Sequence, residues 1–291
     1  MGTDASTLVS RLEELPPLPA VAARVLALAD DERASALDLA QVIATDQALT
    51  AKLIRISNSA FYGFARRISS VREAVVVLGF RQVRQVALST SLMNAFRLPP
   101  SVSDAFDIDL FWGHSVVVAV AAEAIAKRTR AGRPEDAFTA GILHDVGRLV
   151  LCLLEPDEFR EAVTLARDLR QPLDETERLV LGLSHAAVGR ALAERWKFPA
   201  HLVDAIELHS EPLVPERDGI AGAVAQADRL ANHYGLLCGY EVEGVEPPPL
   251  PSDLARYEEM AGGIDHVLER AFAFIESASG APNRWYQPRA A

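Results

Sequence analysis

His144 and Asp145 stand side by side in the apolar segment GILHDVGRL, and this pair is the strongest chemical signal in the chain. A carboxylate within an apolar helix is costly to bury unless it is paired or bound to a cation. The adjacent imidazole supplies a second ligand, and together they suit a divalent metal of intermediate hardness such as Mn, Fe, Co, Ni or Zn. Four further polar residues interrupt apolar helical faces in the same way: His114 in FWGHSVVVA, His185 in GLSHAAVGRAL, His209 in AIELHSEP and Asp228 in AVAQADRLAN. Helices that cross in a bundle can bring such side chains to one point, where they would hold one metal or two. The same residues also suit a hydrogen-bonded polar core without metal, and spacing alone does not choose between the two.

The elements that must position them read as helices. Val21, Val25 and Leu28 share one face, as do Leu39, Val42 and Ile43, then Leu49, Leu53 and Ile56. Ser35 with Asp38 and Ser70 with Glu73 predict capping boxes, and Gly79 a helix end. Longer helices are expected over about 104–130 and 135–154, with shorter ones near 157–170, 173–181, 185–196, 200–209 and 216–235. Residues 239–251, with three consecutive prolines, read as a strap, and Ser252 onward as one C-terminal helix. No alternating strand pattern is sustained, so the expected class is all-α.

Composition narrows the function. The formal net charge of -11 argues against a nucleic-acid partner, which needs clustered cations. Arg55, Arg66, Arg67, Arg72, Arg81 and Arg84 are taken as solvated helix faces. Cys152 and Cys238 do not make a disulfide framework, and Cys152 reads as a buried free thiol. The start MGTDAS fits the loose myristoylation pattern but is discounted. No signal core and no uninterrupted apolar run of membrane-spanning length is found, so the cytoplasm is expected and a membrane partner is not. Phe61, Tyr62 and Phe64 form an aromatic helix exit, read either as core packing or as a partner-binding ridge. Trp112 reads as core near the site, and His201, His233 and His266 as surface histidines.

The order His114, His144–Asp145, Asp228 resembles the HD superfamily of metal-dependent phosphohydrolases. That resemblance implies these four as metal ligands, with His185 and His209 like the extra histidines of binuclear members and Asp145 bridging two ions. The segments LPPLPAVAARVLAL (15–28), ATDQALTAKLIRISNSAFYG (44–63) and ISSVREAVVVLGFRQVRQVALS (68–89) resemble the HDOD domain. The HDOD match is expected over 12–212, with an N-terminal lobe at 12–98, an HD-like lobe from 104 and a helical extension to about 235; 236–291 hold the strap and C-terminal helix. HDOD proteins are regulatory relatives of HD-GYP enzymes, so the resemblance implies a bacterial signal-transduction module that works through signalling proteins.

The alternative is a metal-dependent phosphohydrolase acting on a nucleotide or phosphoester. There Asp145 would serve a metal-activated water, and Arg148 would neutralise phosphate charge unless a salt bridge to a nearby carboxylate, such as Glu135 or Asp136, occupies it. Cyclic-di-GMP hydrolysis is disfavoured: Arg148 stands where that pattern has lysine, Ser210 replaces a second histidine, and SEPLVPERDG lacks Gly-Tyr-Pro. Oligomeric state and input signal are not legible.

Overall fold

Ser35 begins its helix as expected: its hydroxyl accepts the Asp38 amide at 3.2 Å, while the Asp38 carboxylate accepts the Ser35 amide at 2.9 Å. Ser70 caps the Glu73 amide in the same manner, but the Glu73 carboxylate reaches back one residue further, to the Ser69 amide and hydroxyl. Such caps, with the apolar periods between them, produce a chain of helices; no strand occurs among the described residues. In this computed structural model the described residues are 11–15, 17–28, 34–210, 219–240 and 249–279. The MGTDAS start, the SEPLVPERDG stretch except Gly219 and its first Ser210, and most of the prolyl strap therefore lie outside them.

The chain divides into two units, one of Leu18–Phe96 with Gly263–Ala291 and one of Met1–Pro17 with Arg97–Gly262. The first contains α1 (Ala20–Ala27), α2 (Ala36–Ala44), α3 (Gln47–Ser57), α4 (Val71–Leu78) and α5 (Phe80–Met93). Asn58 ends α3 and pins the loop that follows, donating to the Ile68 carbonyl and accepting the Ile68 amide at 2.7 Å.

The second unit contains α6 (Ile108–Thr129), α7 (Pro134–Leu143), α8 (Val146–Leu154), α9 (Pro156–Leu169), α10 (Leu173–Leu181), α11 (His185–Arg195), α12 (Ala200–Leu208), α13 (Ile220–His233) and α14 (Ser252–Ala261). Helix α6 is apolar nearly all round and packs on α7, α13 and α14, while α8 packs on α11. Two apolar stretches, Ile108–Thr129 and Pro134–Leu154, are long and apolar enough to cross a membrane by composition, but 78% and 94% of their windows are buried in the protein.

Two expectations change. The single helix over 135–154 is two, α7 and α8, because His144 and Asp145 sit in a turn between them. The C-terminal helix is also two, α14 and α15 (Ile264–Ser279), broken at Gly262 and Gly263, both at positive φ. Helix α15 packs on α3 in the first unit. It covers the aromatic exit: Phe61 is buried with its ring 5.2 Å from that of Phe274, and the Arg270 guanidinium lies over it. Phe61, Tyr62 and Phe64 are thus no exposed ridge. Tyr62 is half-buried and bonds Gln82, and Phe64 alone is exposed, stacked on Tyr62.

Candidate metal centre

His144, in helical conformation at φ -53° and ψ -40°, ends α7, and Asp145, at φ -97° and ψ 9°, precedes α8. The turn between α7 and α8 thus carries the two central donors. Two glycines set the approach of the surrounding helices. A Cβ on Gly141 would stand 2.5 Å from the Ala119 Cα, so α7 can lie against α6 only without one. A Cβ on Gly147 would stand 1.9 Å from the His185 carbonyl oxygen, which ties α8 to the start of α11 in the same way. These contacts draw His114 on α6 and His185 on α11 toward the central pair.

All six expected residues converge. His114 Nε2 and His144 Nε2 lie 3.2 Å apart, and Asp228 Oδ1 is 3.1 Å from the first and 3.7 Å from the second. On the other side His185 Nε2 and His209 Nε2 lie 3.1 Å apart. Asp145 spans the two pairs. Its Oδ2 is 3.6 Å from His114 and 3.3 Å from His144, and its Oδ1 is 3.0 Å from His185 and 3.4 Å from His209. Two donor sets therefore share one carboxylate, and all of them are buried except Asp228, whose side chain is partly open.

The outer contacts fix the tautomers. His114 Nδ1 meets the Leu236 carbonyl at 2.6 Å, His144 Nδ1 the Gly141 carbonyl at 2.7 Å and His209 Nδ1 the Ile206 carbonyl at 2.8 Å. His185 Nδ1 meets Glu177 Oε2 at 2.6 Å. A carbonyl or carboxylate only accepts, so each Nδ1 donates and each Nε2 turns its lone pair inward. Two such lone pairs face each other in each pair, an arrangement that needs a proton or a cation between them. That donor chemistry fits a divalent metal: neutral imidazole Nε2 atoms, two carboxylates, and an acceptor behind every ring.

The electrostatics show how protons fill the gap. Burial opposes charge on His144, but Asp145 and Asp228 outweigh it and push its pKa up to about 10. Burial and Arg148 oppose charge on His185, yet Glu177, Asp174 and Asp145 raise it to about 10 as well. His209 is held down, by burial first and then by the charge of His144 and His185. His144 in the first pair and His185 in the second are thus the rings on which the surrounding carboxylates favour charge.

Arg148 forms the salt bridge that was one of its two readings, but with other carboxylates than the two named. Its Nε donates to Glu177 Oε1 at 2.9 Å, Nη1 to Asp145 Oδ2 and Nη2 to Asp174 Oδ1. Glu135 and Asp136 are not its partners; Asp136 faces His201 at 3.3 Å instead. Glu177, Asp174 and Cys238 were missed by sequence reasoning. Glu177 carried a weak signal, an acidic residue on the buried face of an amphipathic helix. Trp112 is core and does not line the cavity at the site.

That cavity, of about 620 Å³, reaches the cluster at His209, Asp228 and Arg148 and is lined further by Arg170, Tyr234 and Tyr240. His233 also lines it, and Asn232 donates to Asp228 Oδ1 at 2.8 Å. His233 is therefore half-buried at the site rather than a plain surface residue.

The HDOD domain model matches residues 15–212. This chain belongs to the HDOD family. Its fold is similar to the crystal structure of an HDOD domain protein with unknown function from Geobacter sulfurreducens, with TM-score 0.70, 29% identity, and 92% of this chain and 89% of that one covered. A "Putative phosphohydrolase" from Shewanella amazonensis SB2B is similar at TM-score 0.70 and 26% identity, covering 94% and 97%. A "Putative signal transduction protein" from Marinobacter aquaeolei VT8 is similar at TM-score 0.70 and 26% identity, covering 94% of this chain and 60% of that one. An uncharacterized protein of Treponema pallidum (strain Nichols) is 25% identical over 214 residues; the match takes 73% of this chain and 41% of that relative, less than half its length.

Proposed function

We propose that this HDOD protein is a signalling module that holds a divalent transition metal in the His114, His144, Asp145, His185, His209 and Asp228 cluster and takes a phosphorylated ligand in the adjoining cavity. The observation that carries this reading is the set of four imidazoles with every Nδ1 fixed and every Nε2 turned toward Asp145. Such preset donors are costly to bury for structure alone. Zn, Fe, Co, Ni and Mn all suit the set.

In this reading the chain's own groups divide the work. Asp145 serves both donor sets, and Arg148 holds its carboxylate in place. Asn232 orients Asp228, and Arg170 supplies a cation on the cavity wall while Tyr234 and Tyr240 supply aromatic walls. A bound metal supplies a water of lowered pKa and a Lewis acid for a phosphoryl oxygen. A second reading, hydrolysis of the phosphoester, is favoured by the access that the cavity gives to His209 and Asp228. The module is proposed to work in the cytoplasm through contacts with signalling proteins, in line with two free cysteines.

The test is metal content, by elemental mass spectrometry, of protein purified without chelator, beside Asp145→Ala. Near-stoichiometric metal that the variant loses supports the centre. Absence of metal after incubation with Mn, Fe and Zn overturns it. A phosphoester panel run beside partner capture, with wild type and His144→Ala, separates the two readings: turnover lost in the variant supports hydrolysis, and unchanged turnover removes it.

A further inference from the structure

Cys238 is 2% exposed, and its surroundings are not those of an inert core thiol. Cys152 is buried in the apolar helix α8 and fits the usual reading of a small hydrophobe. Cys238 instead lies against the Asp145 carboxylate and the Arg148 guanidinium and lines the cavity of the site. The ligand atoms of His114, Asp145 and Cys238 all lie within 4.8 Å of one another. Three donor types are therefore gathered within reach of one ion.

The backbone that presents Cys238 is anchored on both sides. The Leu236 amide donates to the Ala231 carbonyl at 3.0 Å, and the Leu236 carbonyl holds His114 Nδ1 at 2.6 Å. Beyond it, the Gly239 carbonyl accepts the Asp107 amide at 2.7 Å. Gly239 has φ 78°, and a Cβ there would stand 2.1 Å from the Phe106 ring, so glycine alone fits. The segment from Leu236 to Gly239 thus orients one ligand of the cluster and places a thiol beside it.

We propose that Cys238 is a thiolate ligand of the metal centre, joining His114 and Asp145, and that it tunes the centre toward softer metals. The proposal rests on the metal reading given above. Coordination releases the thiol proton to solvent, and the sulfur gives its electron pair to the metal. A thiolate in a set of imidazoles and carboxylates favours zinc, cobalt and iron over manganese or magnesium. It also makes the centre sensitive to oxidants, because a sulfur carried to sulfenic acid by a peroxide no longer binds as a thiolate.

Cobalt(II) loaded into the full chain tests this by absorption spectroscopy. Wild type and Cys152→Ser should show visible d–d bands with an intense near-ultraviolet thiolate-to-cobalt charge-transfer band. Cys238→Ser should keep the d–d bands, lose the charge-transfer band and bind zinc about 10-fold more weakly, the low end of what loss of a supporting group costs a metal site. Cobalt bound without the charge-transfer band in wild type, or the band retained in Cys238→Ser, overturns the thiolate ligand and leaves the His–Asp centre standing. Failure to bind cobalt at all overturns both. Should Cys238→Ser not fold, X-ray absorption on zinc-loaded wild type decides: a sulfur scatterer at about 2.3 Å supports the ligand, and its absence excludes it.

Discussion

Glu177 Oε2 accepts both the ring Nδ1 of His185, at 2.6 Å, and the His185 backbone amide, at 3.1 Å. One carboxylate oxygen thereby fixes the ring and the first residue of α11 together, while the other oxygen takes Arg148 Nε at 2.9 Å. Glu177 is fully buried and meets the centre through the His185 ring, so it acts through His185. Glu177→Gln keeps the shape but can turn its amide NH2 toward the ring. It should weaken metal binding by about 10- to 100-fold with the helical circular dichroism unchanged. Equal metal affinity in titrations of the two proteins would show that Glu177 serves only the fold.

The shared carboxylate of Asp145 divides the donors into His114, His144 and Asp228 on one side and His185 and His209 on the other. His209→Ala removes a donor from the second set only. If two ions bind, stoichiometry should fall from about two to one, read by elemental analysis. His114→Ala should lower the content from the other side. Equal and complete loss in both variants would mean a single ion shared by all the donors.

Protons occupy the metal-free centre, and metal must displace them. His144 is raised to about 10 from an ordinary value of 6.5, against burial, by Asp145 and Asp228. A raised folded pKa contributes stability that is complete below 6.5 and lost as pH rises toward 10. Metal-free protein should therefore lose thermal stability between neutrality and about pH 10, and metal-loaded protein much less. Uptake at pH 7 should release at least one proton, measured by calorimetry in buffers of different ionisation enthalpy. Buffer-independent heats would contradict this.

Arg148 is the counter-ion of three buried or half-buried carboxylates, Asp145, Asp174 and Glu177. Arg148→Ala leaves them uncompensated and should cost about 3–5 kcal/mol, the range for breaking a buried pair. Arg148→Lys restores charge but cannot supply the planar fork, so urea denaturation should place it between the two. A loss below about 1 kcal/mol in the alanine variant would show that the network relaxes.

Gly147→Ala drives a Cβ into the His185 carbonyl, a backbone atom that cannot rotate away. The helices must separate, and the expected loss is about 1–3 kcal/mol or more, with weaker metal binding because His185 moves with its carbonyl. Unchanged stability and unchanged affinity would mean that α8 and α11 part freely.

Much of this centre was readable in the chain, and the reasons are physical. His114, His144, Asp145, His185, His209 and Asp228 stood out because each polar group interrupts an apolar helical face, where its burial demands a partner. The helix boundaries followed from caps such as Ser35 and Ser70, whose hydroxyls accept the expected amides. What escaped were features that depend on distance in space. Cys238 lies in a stretch without periodicity, and only the fold carries it to His114. Arg148 bonds Asp174 and Glu177 on another helix, whereas near neighbours in sequence looked equally suitable. The turn at His144–Asp145 was hidden because the apolar period runs through it unbroken. The burial of Phe61 was hidden because its cover arrives some 200 residues later, on α15.

That late cover bears on how the protein is made. A ribosome delivers residues 18–96 first, at roughly 5–20 residues per second. Helix α15 follows only after the whole of the second unit has emerged, so for roughly 10–30 s the newborn first unit waits with Phe61 lacking its lid. The second unit can settle in the meantime. Truncation before Ile264 would make that waiting permanent, and the shortened chain would be expected to engage chaperones or precipitate rather than yield a smaller soluble module.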